Sequence, residues 1–193
     1  MRQIINRAEP MSFVFWLKKN KNKEWSDFSG SFAYHELREY MITIQEKMCC
    51  YCEISLNTNK EAHLEHLKSR HNYPIERFNF DNIYASCQFN DSCGHFKGHA
   101  NYNKMVLPDS VCDQRFTYTN NGLIIPSVSG DTAAINTIES LNLNCKRLKN
   151  ARQDIIRIIE DINDTALVDE YLMNCVEWVN GFYTVIEYAK VEG

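Results

Sequence analysis

Apolar residues recur at helical spacing in three stretches of the chain. Between Ser31 and Met48 they are Ala33, Leu37, Tyr40, Met41, Ile44 and Met48, the pattern of an amphipathic helix that delivers the chain into Cys49. Leu148, Ala151, Ile155, Ile158, Ile159 and Ile162 form a second stripe; Leu167, Tyr171, Leu172, Cys175, Trp178, Val179, Phe182 and Ile186 form a third. The tail therefore reads as two helices, an antiparallel pair broken near Asp164. In Phe116–Ile125 two β-rich runs flank Asn121–Gly122, the signal of a tight hairpin, whose turn needs residues that accept positive φ. Residues 1–30 carry Pro10, a lysine–asparagine run and Gly30. They predict an irregular lead-in with one short helix over Met11–Leu17.

Residues 49–100 differ in being dense in Cys, His and Asn, with short strand-like pieces. The chain thus divides into a lead-in and helix (1–48), a central core with a hairpin (49–130) and C-terminal helices (131–193). No internal repeat interrupts this order.

The longest apolar runs fall well short of the roughly 20 residues that span a bilayer. The start "MRQIINRAEP" has no apolar signal region, and a cytoplasmic location without membrane contact is expected. A net charge of −4 excludes a general basic coat for nucleic acid but leaves room for a local phosphate-binding patch. Basic residues gather at Lys18–Lys23, Leu67–His71 and Cys145–Arg152, each expected to be a solvated face.

A reducing compartment changes how the eight cysteines are read, since close pairs there point to metal or redox chemistry. Cys112, Cys145 and Cys175 stand alone among apolar neighbours and are expected to be small core residues. Cys49 and Cys52 have the spacing of a zinc knuckle, and Cys87 and Cys93 supply a second pair with five residues between them. Four thiolates in two local pairs suit a closed tetrahedral zinc site. Cys50, between two ligands, is expected to point away from it.

Between and after the pairs lie Glu65-His66 on a strand, Asn82 in "DNIYASC" and His95 and His99 in "CGHFKGH". Strand His, loop Asn and helix His braced by two Cys pairs resemble the HNH nucleases. "IQEKMCCYCE", "LEH", "DNIYASC", "FKG", "FTYTNNGLI" and "TIESLNLNCKRLKNAR" extend the resemblance over about residues 1–160. They resemble the small HNH proteins encoded with ABC-type ATPases in Septu anti-phage systems and certain retrons.

The resemblance implies an α+β protein centred on a zinc-braced ββα-metal finger with helices before and after it. It implies a divalent-metal-dependent endonuclease acting on nucleic acid, with DNA expected ahead of RNA, under the control of an ATPase partner. His66 would be the general base, since neutral imidazole near pH 7 suits that role. Glu65 would help hold a catalytic Mg²⁺ or Mn²⁺, and Asn82 would hydrogen-bond the His66 imidazole. The family's third position follows the last cysteine directly and is here Gly94. His95 is one place later, and His95 and His99, at i and i+4, would share a helix face, so either is the candidate metal ligand, His95 first. Lys97 would contact substrate phosphate. His63, His71 and His35 are read as structural hydrogen-bonding residues. The competing readings are a zinc-stabilised adaptor without catalysis and a nucleic-acid-binding module; Glu65, His66 and Asn82 argue against the first, the acidic charge against the second.

Overall fold

A computed structural model describes residues 1–5, 7–108 and 111–192. Helix α1 (Met11–Lys19) falls where the lead-in predicts one, and a one-turn α2 (Trp25–Phe28) follows. Helix α3 (Phe32–Ile44) is capped by Ser31, whose hydroxyl accepts from the Tyr34 amide at 3.1 Å. It buries Ala33, Leu37, Met41 and Ile42. It stops four residues short of Met48 because Glu46 and Lys47 take positive φ, 52° and 56°, and turn the chain into a tight knuckle closed by Cys49 N–H to Ile54 O (2.9 Å) and Glu53 N–H to Cys49 O (3.1 Å).

Strands β1 (Ala62–His66) and β2 (Ile83–Cys87) pair antiparallel with Ala62 opposite Cys87 and His66 opposite Ile83. The short helix α4 (Cys93–Lys97) packs against β2. The lead-in folds over the loop between β1 and β2: Phe28 packs on Phe13, Trp16 and Trp25, and Trp16 and Trp25 reach Phe78 in that loop. The Arg7 guanidinium lies 4.1 Å over the Tyr84 ring and donates to the carbonyls of Phe80 (2.6 Å) and Ile83 (2.5 Å).

The predicted hairpin is present as β3 (Phe116–Tyr118) and β4 (Ile124–Pro126). Gly122 sits in its turn at φ 81°, where a Cβ would lie 2.1 Å from the Lys149 carbonyl oxygen, so glycine is required twice over. Helix α5 (Thr132–Ser140) then leads to α6 (Lys146–Glu160). The basic stretch at the start of α6 is only partly a solvated face: Lys146 is exposed, but two arginines are engaged. Arg152 is buried and donates to the carbonyls of Gly122 (2.7 Å) and Leu143 (2.8 Å). Arg147 pairs with Asp91 at 2.7 Å and lies 3.7 Å over the Phe89 ring.

Asp164 caps α7 (Thr165–Met173) by accepting from the Ala166 amide at 2.9 Å, so the predicted break is there. The third stripe is not one helix, however. It divides into α7, α8 (Cys175–Val179) and α9 (Tyr183–Glu192). Asn180, Gly181 and Phe182 all take positive φ, because Gly181 docks on the knuckle: a Cβ there would be 2.1 Å from Glu53 O. The Glu53 carboxylate also accepts from the Thr184 amide and hydroxyl at 2.9 and 2.7 Å. Helix α9 packs on α6, α7 and β3, burying Phe182, Val185, Ile186 and Ala189. Phe182 is therefore core, while Trp178 remains 47% exposed against Tyr171. Among the described residues no helix is long and apolar enough to cross a membrane.

Candidate active site

The two cysteine pairs meet. The sulfurs of Cys49, Cys52, Cys87 and Cys93 all lie within 4.8 Å of one another and are buried. Tetrahedral bonds of about 2.3 Å would place sulfurs about 3.8 Å apart, and Cys52 Sγ and Cys87 Sγ are 3.9 Å apart. The four thiols thus fit a structural metal ion. Burial by itself would raise the Cys49 thiol, but the thiols of Cys50, Cys52, Cys87 and Cys93 turned toward it hold it well below the usual range. Cys50 is buried beside Cys49 and outside the four-sulfur set. Cys112 and Cys175 are buried as expected; Cys145 is half-buried.

The widened second loop has a structural cost and a consequence. It brings Cys93 to its sulfur partners at φ 59°, a left-handed conformation that costs a non-glycine residue roughly 1–2 kcal/mol. It also turns Gly94 inward and leaves His95 exposed. The hydroxyl of Ser86 joins the two regions, lying 3.7 Å from Cys49 Sγ and accepting from the Gly94 amide at 3.2 Å.

Beside this centre is an open cavity of about 550 Å³ lined by His63, Glu65, His66, Arg70, Gly94, His95 and their neighbours, His71 and His99 among them. Alternation along β1 puts His63 and Glu65 on one face and His66 on the other, yet all three reach this space. Glu65 is buried, its Oε1 accepting from Tyr51 OH at 3.1 Å and from the Lys97 ammonium. Burial would raise its carboxyl, but His63 and Lys97 more than offset this and hold it below the usual range.

His66 is edge-on to Trp25 with 4.3 Å between ring centroids, and its Nε2 is 2.9 Å from the Arg77 carbonyl oxygen. A carbonyl only accepts, so Nε2 carries the hydrogen and Nδ1 keeps the lone pair. Burial pushes the imidazole down to about 4, so it is neutral at pH 7.

Asn82 does not bond the imidazole of His66. Its Oδ1 accepts from the Lys68 amide at 2.7 Å, and its Nδ2 donates to the carbonyls of Lys68 (3.0 Å) and Glu76 (3.1 Å). It pins both ends of the loop that presents the Arg77 carbonyl, and so acts on His66 through the backbone. Asn82→Ala is expected to cost about 1–3 kcal/mol of stability from the buried groups it orphans, read by denaturant unfolding, and to reduce cleavage less than loss of His66.

Lys97 is also placed differently from the expectation. It is 5% exposed, and its ammonium donates to the carbonyls of His66 (2.5 Å) and Leu67 (3.1 Å) besides pairing with Glu65. With its three protons so engaged, it ties α4 to β1. His95 and His99 do not share a helix face, because α4 ends at Lys97 and Gly98 turns the chain at φ 52°. His95 Nε2 meets Gln88 Oε1 at 2.8 Å; His99 stacks on His71 at 4.5 Å. His35 lies apart from the cavity, beside Arg38 on α3. The sequence reading missed Arg70 and His71 as cavity residues; their place in a basic stretch beside His66 was the available signal.

No family model matches the chain. It is 28% identical, over 207 aligned positions covering 81% of this chain and 79% of the other, to the "Retron Ec83 putative HNH endonuclease" of Escherichia coli. This similarity supports a relationship to the HNH endonucleases, and nuclease function at the level of that family.

Proposed function

We propose that the chain is a metal-dependent endonuclease that hydrolyses phosphodiester bonds of nucleic acid, DNA by preference, through a ββα-metal finger formed by β1, β2 and α4. The observation that carries this reading is the His66 imidazole, held by the Arg77 carbonyl in the tautomer whose Nδ1 can take a proton, beside the Glu65 carboxylate on a cavity wall. Zinc on the four cysteines would hold the finger together. A bound Mg²⁺ or Mn²⁺ supplies positive charge to the scissile phosphate and the leaving oxygen. His66 Nδ1 accepts the proton of the attacking water, and Trp25 and the Arg77 carbonyl keep the ring in place. Arg70, His71 and His99 offer donors to the flanking phosphates. Glu65, fixed by Tyr51 and Lys97, provides the carboxylate for the divalent ion, with an imidazole from the neighbouring His63 and His95 rings, 4.2 Å apart.

The resemblance to Septu and retron proteins, and the retron origin of the relative, support a role in anti-phage defence with an ABC-type ATPase. Trp178, Met173 and Leu167, exposed on α7 and α8, are the aromatic and apolar residues through which such a partner would dock. Removing everything after Asp164 would not test docking, since α9 is part of the core; Trp178→Ala with Met173→Ser does. The activity itself is tested by incubating plasmid with the purified chain and Mg²⁺ or Mn²⁺, with and without the ATPase. Nicking or linearisation that requires the divalent ion is expected. Binding without cleavage under every condition would make the chain a nucleic-acid-binding subunit instead.

A further inference from the structure

Gly94 is the position in this site where a side chain has no room. A Cβ there would lie 2.5 Å from Glu65 Oε2 and 2.7 Å from His63 Nε2. The space in front of the first turn of α4 is already filled, from the strand side, by an imidazole and a carboxylate. His63 and Glu65 occupy alternate positions of β1 and so project from one face, and both line the cavity. His63 Nε2 and Glu65 Oε2 are 3.3 Å apart. A hard octahedral cation with bonds of about 2.1 Å needs adjacent ligands about 3.0 Å apart.

The hydrogen bonding separates the two candidate imidazoles. His95 Nε2 is engaged by Gln88 Oε1, and the Gln88 amide is itself fixed by donating to the Ala62 carbonyl at 3.1 Å. Among the described residues His63 Nδ1 is buried with no hydrogen-bond partner, and its Nε2 meets the Glu65 oxygen that Tyr51 and Lys97 leave open.

We propose that His63 and Glu65 together are the protein ligands of the divalent cation, and that position 94 is glycine so that the imidazole can come from the strand. His95 then packs behind His63 and braces it. The assignment rests on the metal-dependent reading above, and the experiment separates the two.

Mn²⁺ binding is measured by calorimetry and by electron paramagnetic resonance, without nucleic acid, on zinc-loaded protein whose zinc content and circular dichroism match the parent. His63→Ala is expected to weaken Mn²⁺ binding by at least about tenfold, the range seen when groups supporting a metal are lost. His95→Ala is expected to weaken it by less than about threefold. Gly94→Ala leaves all ligands in the chain but drives a methyl group between His63 and Glu65, and should weaken binding comparably to His63→Ala; it serves also if His63→Ala does not fold. Parental affinity in His63→Ala or in Gly94→Ala, or the larger loss in His95→Ala, overturns the assignment. A parent that binds no Mn²⁺ overturns the metal-dependent reading, and the assignment with it.

Discussion

Replacing His66 with alanine is expected to lower cleavage by about 10²–10⁴-fold, the usual contribution of a positioned general base. Among the described residues the imidazole makes one hydrogen bond, to the Arg77 carbonyl, and one ring contact, to Trp25, so the fold should survive with the four-cysteine centre intact. Its opposite neighbour in the strand pair is Ile83, which is fully buried and holds β2 without it. The measurement is plasmid cleavage under single-turnover conditions, alongside metal content and thermal unfolding. His66→Gln is the companion variant, keeping most of the volume against Trp25 while removing the basic nitrogen, and it should be as inactive as alanine. Parental rates in either variant would remove His66 from the mechanism.

Cys87→Ser is expected to abolish the folded finger. The apparent binding free energy of structural zinc in small domains is about 10–16 kcal/mol, against a total stability of about 5–15 kcal/mol for a typical domain. Losing one thiolate from a four-sulfur site therefore threatens the whole of the margin. Cys87 also ends β2, opposite Ala62, and its amide donates to Cys49 Sγ at 3.4 Å, so the damage spreads directly into the strand pair. Soluble yield, metal stoichiometry by mass spectrometry and circular dichroism should fall together; Cys50→Ser, outside the set, should leave metal content at the parental value. A soluble Cys87→Ser protein with unchanged metal content would falsify the assignment of these sulfurs.

Local signals carried much of this architecture. Asn121–Gly122 marks its hairpin because Gly122 supplies the positive φ that the turn needs, and Asp164 marks a helix start because its own carboxylate caps it. The cysteine pairs announce their cluster by spacing, and Glu65-His66 lies on a strand as its pattern suggests. What escaped depends on placement in three dimensions. The i, i+4 relation of His95 and His99 assumes a continuing helix, and Gly98 ends it. Lys97 reads as a surface lysine until α4 is laid against β1, where Glu65 and two carbonyls enclose its ammonium. Arg147 and Arg152 look like a charged surface until the hairpin and the second cysteine loop arrive over them. The third apolar stripe keeps helical period across a place where the backbone must open to let Gly181 reach Glu53. Apolar spacing records burial, and burial continues through the break.

The hydroxyl of Ser86, shared between Cys49 and the Gly94 amide, bears on how a chelation assay should be interpreted. If the four sulfurs hold zinc as proposed, a chelator that stripped it would free Cys93 from its left-handed turn, and Gly94, the next residue, would be free to shift against Glu65. Inhibition by EDTA would then report two ions at once. The two would be separable in time: brief chelation reversed by Mg²⁺ alone would read the proposed cavity ion, whereas prolonged chelation should become irreversible to Mg²⁺ and recover only when zinc is supplied before it.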